Sequence, residues 1–315
     1  MKSTYFERAI FLSWYCSKRD CAFCYLSSKP NIKPDPKKDR RSLSSIFAEA
    51  IICKACKWKI EFLSGGCDTF NDQELLQIIK TIYTITNQKQ WLNVGTLNEN
   101  QLRLFKPYIE GVCGTVECIT PKLRDRICPS KPLREIENMF KICDKLGLKK
   151  TATIIIGLGE ALDDFFYLKN FIEKWRLDKI TFYRLKPQKN TIFENKPVPG
   201  TDYYVEWIKK TRKTFPKLEI VAGSWLTHLD EIHLLLNAGA DSITKFPSIK
   251  QFNTRFARQI EEEVKRAKRE FKGTLTKVPR IDVDSWLNRL DLDDKTKDNT
   301  RKKLNNYLER MKNNS

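Results

Sequence analysis

Residues 9–25 read AIFLSWYCSKRDCAFCY, an apolar run followed at once by three cysteines. The run over residues 9–14 is short and rich in aromatic and aliphatic side chains, which predicts a strand. Cys16, Cys21 and Cys24 come directly after it. A [4Fe–4S] cluster with three protein ligands keeps one iron open, whereas electron-transfer clusters usually take four cysteines. The pattern therefore predicts a metal centre at the end of a strand, with chemistry at the open iron.

A zinc knuckle is the alternative interpretation of these cysteines. Closed zinc sites take four Cys or His ligands, usually from two short hooks. The chain has only two histidines, His228 and His233, and both lie far along the sequence. A knuckle would need one distant ligand, so the open cluster is the favoured interpretation.

The composition is that of a globular protein. The 315 residues are 41 % hydrophobic, which is enough for a sizeable core in one large domain or two small ones. No stretch approaches the roughly 20 apolar residues of a membrane span, and residues 9–15 run directly into the cysteine loop, unlike a secretory signal. Ten cysteines without such a signal indicate reduced thiols and metal ligation. We expect a cytoplasmic protein with no membrane partner.

The net charge of +19, from 58 Lys and Arg against 39 Asp and Glu, can attract nucleic acid or other phosphate-bearing partners. The basic residues are spread along the chain. Binding of single-stranded nucleic acid would require aromatic residues interleaved with them in a regular stripe, and the sequence shows no such stripe. A solvated surface explains the charge best. A basic nucleic-acid-binding protein with a structural metal knuckle stays open as the non-enzymatic alternative.

Strand-like runs alternate with helical patterns over the first 250 residues. The eight strand candidates are residues 9–14, 59–63, 91–94, 112–116, 151–156, 179–183, 218–221 and 242–245. Eight βα units of this length are typical of a closed (βα)8 barrel, an α/β fold of the TIM type. We predict the barrel over residues 1–250 and a basic helical C-terminal extension over residues 251–315, with helices over 255–271 and 285–311. A polar, basic loop is expected over residues 30–41.

The Cys-x4-Cys-x2-Cys loop, with an aromatic residue before its last cysteine, resembles the cluster loop of the radical S-adenosylmethionine (SAM) superfamily. The usual spacing there is Cys-x3-Cys-x2-Cys, so the first interval is one residue longer here. The resemblance implies that Cys16, Cys21 and Cys24 bind a [4Fe–4S] cluster, that SAM binds its open iron, and that the enzyme forms a 5′-deoxyadenosyl radical. It also implies a small-molecule substrate in the barrel and an electron donor such as ferredoxin or flavodoxin.

Residues after the second and fourth strands resemble SAM-binding positions of the biotin-synthase-like branch of this superfamily. The segment Ser64, Gly65 and Gly66 resembles the one that holds the methionine amino group. Glu117 matches a carboxylate that binds a ribose of SAM. Arg134 or Arg184 matches an arginine that pairs with the methionine carboxylate, a task suited to the fork of a guanidinium.

The fifth and sixth strands resemble the adenine-contacting strands of the same branch. Residues 153–160 read TIIIGLGE, close to the family pattern Gly-x-Ile-x-Gly-x-x-Glu but with Thr153 at its first position. Ile155 is the candidate contact in this strand. Tyr183 and Arg184, at the end of the sixth strand, are placed to frame the adenine.

Within that branch, the sequence is most similar to the HcgA family, also called HmdB, which acts in biosynthesis of the guanylylpyridinol cofactor of [Fe]-hydrogenase in methanogens. HydE-like, PylB-like and RNA-directed enzymes are the alternatives. If the task is shared, we expect the substrate to contact residues after strands six to eight. The candidates are Arg184, Lys186, Trp225 and Lys245, and two cations with an aromatic suit an anionic or heteroaromatic compound.

The other cysteines do not form an obvious second cluster. Cys53 and Cys56 fall late in a predicted helix, where burial as small apolar side chains is the favoured interpretation. Cys67 and Cys118 follow strand ends and are possible functional thiols.

Overall fold

Eight parallel strands close into a barrel in this computed structural model, which describes residues 2–28 and 35–314. Each strand pairs with the next, and β1 pairs with both β2 and β8, which closes the ring. The strands are β1 (Ser3–Phe11), β2 (Lys59–Ser64), β3 (Gln90–Asn93), β4 (Ile109–Glu117), β5 (Lys149–Ile156), β6 (Lys179–Arg184), β7 (Glu219–Gly223) and β8 (Ser242–Thr244). The predicted (βα)8 barrel is confirmed.

Helices surround the barrel. In the described part of the chain they are α1 (Leu43–Ala55), α2 (Asp72–Thr86), α3 (Glu99–Phe105), α4 (Pro121–Ile127), α5 (Leu133–Leu146), α6 (Phe165–Trp175), α7 (Thr201–Thr214), α8 (Ile232–Ala238), α9 (Arg255–Arg266), α10 (Val283–Asn288) and α11 (Asp294–Asn313). Short segments of 3-10 helix, Leu162–Asp164 and Leu226–Glu231, precede α6 and α8. Among the residues described, no helix is both long and apolar enough to cross a membrane.

The first strand lies earlier than the sequence predicts. It spans Ser3–Phe11 rather than residues 9–14, so the cysteine loop begins after Leu12. Charged residues at positions 7 and 8 made the start of the strand hard to recognise in the sequence. In the fold, Glu7 is buried 3.3 Å from Lys179, and Arg8 pairs with Glu49 of α1 at 2.7 Å. Charges paired inside the fold interrupt the apolar run that marks a strand buried on both faces.

The C-terminal residues differ from two plain helices. The helix predicted over residues 255–271 ends at Arg266, and Glu270–Lys272 forms β9, which pairs with β1. The helix predicted over residues 285–311 is two helices, because Asp293 caps a new one by accepting the Thr296 backbone N–H at 2.9 Å. The boundary between residues 1–250 and 251–315 stays a prediction. Of the polar loop expected over residues 30–41, residues 30–34 lie outside the described residues, and residues 35–41 form turns and a single bridge rather than a helix.

Candidate active site

A cavity of about 380 Å³ lies where the strands end, on the side towards which all eight run. Because parallel strands bring their carboxyl ends together, residues far apart in sequence meet there. The predicted site residues that line this cavity are Cys16, Cys21, Cys24, Ser64, Gly65, Gly66, Glu117, Ile155 and Tyr183. We call it the cysteine cavity.

Gly66 allows the loop after β2 to lie close against the cysteine loop. A Cβ at this position would collide with the carbonyl oxygen of Tyr15 and with the side chain of Cys16. At Gly65 a Cβ would meet nothing nearer than Leu12 at 3.9 Å. Only glycine therefore allows the backbones to approach at position 66, and the Gly-Gly pair positions the first cysteine as well as lining the cavity.

The three predicted ligands have different surroundings. The thiol of Cys67 donates a hydrogen bond to Cys16 and lowers the pKa of Cys16 to about 5. Cys128 does the same for Cys21 and lowers its pKa. Burial raises the pKa of Cys24 to about 11. Cys16 and Cys21 therefore lose their protons more readily than Cys24 to give the thiolate, the form that binds metal.

Across residues 2–28 and 35–314, no three Cys, His, Asp or Glu side chains converge as a metal-binding group. Cys16 and Cys21 turn instead towards Cys67 and Cys128. Three thiols on one cavity nevertheless suit an iron–sulfur cluster, for which thiolate is the preferred donor. Binding would require the sulfur atoms to rotate from these partners towards one another.

Glu117 ends β4 in the left-handed region, with φ of +61°. A non-glycine residue there is strained, and such strain is common at functional sites. The Lys131 ammonium lies 3.9 Å from its carboxylate and 3.4 Å from the Thr115 hydroxyl. Burial disfavours the charge of Lys131, but the carboxylate of Glu117 and the sulfur of Cys21 outweigh burial and raise the Lys131 pKa. Lys131 therefore carries a positive charge where it lines the cavity.

The two arginines predicted for the SAM carboxylate are placed elsewhere. Arg134 is exposed in the first turn of α5. Arg184 is buried, where it pairs with Glu231 and donates to the carbonyl oxygen of Pro199 at 2.6 Å. It ties the β6–α7 connection to the segment before α8, and neither arginine lines the cysteine cavity. Sequence reasoning missed Lys131, three residues before Arg134, although its place just before α5 was the available signal.

A buried carboxylic acid lies under the cavity. Glu61, in β2, accepts hydrogen bonds from the Tyr183 hydroxyl and from Thr244 Oγ1, the latter at 2.5 Å. Burial raises the pKa of Glu61. The Tyr183 ring also lies 4.2 Å from the Lys245 ammonium. Glu61 was not foreseen, and the signal was a charge within an otherwise apolar strand.

A second cavity, of about 570 Å³, adjoins the first on the side of β1 and β6 to β8. Ala9, Phe11 and Lys245 line both. Of the predicted substrate contacts, Lys186, Trp225 and Lys245 line this second cavity, and Arg184 does not. The Lys186 ammonium lies 4.8 Å from the Trp225 ring. We call this the lysine cavity.

The four other cysteines singled out in the sequence differ in their surroundings. Cys53 and Cys56 are buried in the core around α1, and burial raises the Cys56 pKa to about 12, so they behave as apolar side chains as predicted. Cys118 is buried outside the cysteine cavity, with its sulfur atom 4.0 Å from the Thr120 carbonyl oxygen. Cys67 lines the cysteine cavity beside Cys16.

The sequence profile described as the radical SAM superfamily matches residues 13–172, about half of the chain. The chain belongs to the radical SAM superfamily. Its cofactors are therefore a [4Fe–4S] cluster and SAM. The predicted superfamily is confirmed, and a non-enzymatic metal knuckle is not favoured.

Individual relatives agree with this assignment. An uncharacterized protein of Methanocaldococcus jannaschii is 43 % identical over 274 residues, which are 87 % of this chain and 76 % of that protein. Biotin synthase of Methanococcus aeolicus is 27 % identical over 184 residues, 57 % of this chain and 55 % of that enzyme. The crystal structure of methylornithine synthase (PylB) has a TM-score of 0.66 at 17 % identity and covers 77 % of this chain and 72 % of that one. At this identity the structural likeness concerns the fold alone.

Proposed function

We propose that this chain is a radical SAM enzyme that acts in biosynthesis of the guanylylpyridinol cofactor of [Fe]-hydrogenase, with its cluster on Cys16, Cys21 and Cys24. The observation that carries the enzymatic part is that these cysteines, the Gly65–Gly66 pair and Glu117 line one cavity at the carboxyl ends of the strands. When bound, the cluster supplies the electron that cleaves SAM and yields a 5′-deoxyadenosyl radical. The chain itself positions the reactants and excludes water.

The residues around the cysteine cavity supply the groups that SAM requires. The backbone of Ser64 to Gly66 holds the methionine amino group, and Glu117 accepts hydrogen bonds from ribose hydroxyls. Ile155 and Tyr183 form the wall for the adenine. Lys131, the cation nearest Glu117, pairs with the methionine carboxylate, since Arg134 and Arg184 lie outside the cavity.

The lysine cavity receives the substrate. Its polar groups include two lysines for which, in residues 2–28 and 35–314, no carboxylate partner lies within ion-pair distance, Lys186 and Lys245, and both lie near the Trp225 ring. The Lys186 ammonium beside the Trp225 ring favours an anionic, planar ligand. A pyridinol precursor has these properties, and the relatives from methanogens support the same assignment.

The electron donor that the superfamily requires is, we propose, an acidic carrier such as ferredoxin or flavodoxin. The charge of +19 favours encounter with an acidic protein. Trp14 and Tyr25 of the cysteine loop are 51 % and 47 % exposed, so the loop presents aromatic surface next to the cavity.

The test is anaerobic reconstitution with iron and sulfide, followed by reduction and measurement of 5′-deoxyadenosine from SAM. Reduced enzyme and SAM are then incubated with extract of a methanogen that contains [Fe]-hydrogenase, and pyridinol products are sought by mass spectrometry. Pyridinol formation supports the whole proposal. If none forms, and 5′-deoxyadenosine rises with dethiobiotin, lysine or RNA instead, the guanylylpyridinol assignment is wrong. Stoichiometric zinc without SAM cleavage would overturn both parts.

A further inference from the structure

Lys245 stands at the junction of the two cavities. It directly follows β8 and lines both the cysteine cavity and the lysine cavity. Its backbone has φ of +73°, in the left-handed region where a lysine is strained. Strain of this kind persists only where surrounding structure imposes it, and it gathers at functional sites. The backbone thus sets the direction in which the Lys245 side chain leaves the chain at this junction.

Lys245 is half-buried, and the surroundings of its amine differ from those of two other lysines of the barrel. Lys179 pairs with Glu7 at 3.3 Å, and Lys131 lies 3.9 Å from Glu117. For Lys245, no carboxylate of residues 2–28 or 35–314 lies within ion-pair distance, and its ammonium lies 4.2 Å from the centre of the Tyr183 ring and 5.8 Å from that of Trp225. Aromatic walls stabilise an ammonium less than a carboxylate does.

These surroundings favour the neutral amine. Burial lowers the pKa of Lys245 by more than the carboxylates of Glu61 and Glu117 raise it, and the positive charge of Arg8 acts in the same direction as burial. An amine desolvated beside another cation is the arrangement by which lysines become nucleophiles towards carbonyl compounds. Arginine does not act as a nucleophile in this way, because its guanidinium stays protonated.

We propose that Lys245 forms an imine with a carbonyl-bearing aromatic anion held in the lysine cavity, a role that rests on the proposed function. The neutral amine adds to the carbonyl carbon, and a proton moves from nitrogen to oxygen to give a carbinolamine. Loss of water then leaves the C=N bond. No oxidant or reductant is required, and hydrolysis returns the amine. Because Lys245 borders the cysteine cavity, the bound carbon skeleton is held beside SAM.

Reductive trapping tests the proposal. Anaerobically reconstituted holoenzyme is incubated without SAM in 4-formylbenzoate, which is planar, anionic and an aldehyde, and sodium cyanoborohydride converts any imine to a stable secondary amine. We expect one saturable adduct per chain, mapped by peptide mass spectrometry to Lys245. It should be lost in Lys245→Arg, which keeps the charge, and in Lys245→Met, which keeps the length of the chain.

Lys169→Arg is the control, since Lys169 pairs with Glu173 on the outer helix α6 and lines neither cavity. This variant should be trapped at Lys245 at a rate within about twofold of the parent. An adduct spread over surface lysines and unchanged in Lys245→Arg would overturn the proposal, as would competition by benzoate without any covalent adduct. Thermal unfolding establishes that each variant is folded.

Trapping needs no SAM, so its failure leaves the SAM-cleavage proposal standing. Loss of SAM cleavage with trapping intact overturns only the SAM-cleavage proposal.

Discussion

At the scale of single residues, the thiols that accept a hydrogen bond from a second cysteine are the ones poised to lose their protons. Cys16 and Cys21 each have such a partner, whereas burial dominates at Cys24 and raises its pKa. Metal competes with protons for a thiolate. The free-energy cost of removing the thiol proton before metal binding therefore differs among the three cysteines. The complete cluster still needs all three sulfur atoms.

Replacing any one of Cys16, Cys21 and Cys24 by alanine should abolish cluster binding. With two ligands left, iron content after anaerobic reconstitution should fall from about four per chain to near zero. Iron and sulfide analysis and the change in EPR spectrum on addition of SAM measure this. Cys56→Ala is the control and should retain the cluster, because its thiol is buried in the core around α1. Equal loss of iron in Cys56→Ala and Cys24→Ala would contradict the assignment.

Glu117→Ala should weaken SAM binding by about 1.5–3 kcal/mol, the range for a hydrogen bond to a charged group. The cluster should survive, since Glu117 is not one of its proposed ligands. Equilibrium binding of SAM to reconstituted protein gives the value. Glu110→Ala is a matched control, because Glu110 lies near the opposite end of β4 and pairs with Lys149 there. Unchanged affinity in Glu117→Ala would show that the ribose lies elsewhere.

At the scale of elements, prediction from sequence succeeded where a strand contains an unbroken apolar run and failed where polar residues are satisfied by partners distant in sequence. The β5 strand, Lys149–Ile156, contains the apolar run that marks it. The start of β1 was missed because Glu7 finds Lys179 across the barrel. Local periodicity carries no information on such partners.

The candidate site likewise contains residues whose positions could be predicted from the sequence and residues whose positions could not. The positions of the cysteines and of the Gly-Gly pair follow from local spacing and strand ends, and the structure brings them to one cavity. Arg184 follows a strand end equally well, but Glu231, 47 residues later, holds its guanidinium away from the cavity. Lys131 reaches the cavity from just before α5 instead. Direction of a side chain depends on tertiary partners, which sequence position alone does not show.

The contact between β1 and α1 depends on one carboxylate with two cations. Glu49 is buried in α1 and lies 2.7 Å from both Arg8 and Arg41. Burial opposes its charge, but the arginines outweigh burial and lower the Glu49 pKa. Glu49→Gln leaves two largely buried cations without a counter-charge, and we expect a loss of about 3 kcal/mol in the free energy of unfolding at pH 7.

The effect of Glu49→Gln should depend on pH. A carboxyl whose pKa is lower in the folded state contributes stability above its unfolded value, about 4.3, and loses it as pH falls through the folded pKa. The difference between parent and variant should thus be full at pH 7 and shrink progressively below about pH 4. Urea unfolding at several pH values tests this. Glu173→Gln, at an exposed pair with Lys169 in α6, should change stability by less than about 1 kcal/mol at any pH.

At the scale of the whole molecule, the C-terminal helix covers the outside of α1. The α1 helix is buried around most of its circumference, from Ser45 to Cys53 without interruption. A helix on the outside of a barrel normally keeps one polar face, and one that is apolar on all sides must be covered. The covering element is α11, whose Tyr307 hydroxyl lies 2.8 Å from Ser45 Oγ. The residues after 250 thereby complete the core of the barrel.

Leu304→Ala should therefore destabilise the barrel itself. Leu304 is fully buried in α11, and removing such a side chain from a packed core costs about 2–5 kcal/mol. Because α11 shields α1, we expect a single cooperative transition in urea, monitored by tryptophan fluorescence and circular dichroism, that moves to lower concentration with both signals together. Leu234→Ala, at a position 39 % exposed, should shift it far less. Two separate transitions, with only the smaller one moved by Leu304→Ala, would show instead that the extension folds independently of the barrel.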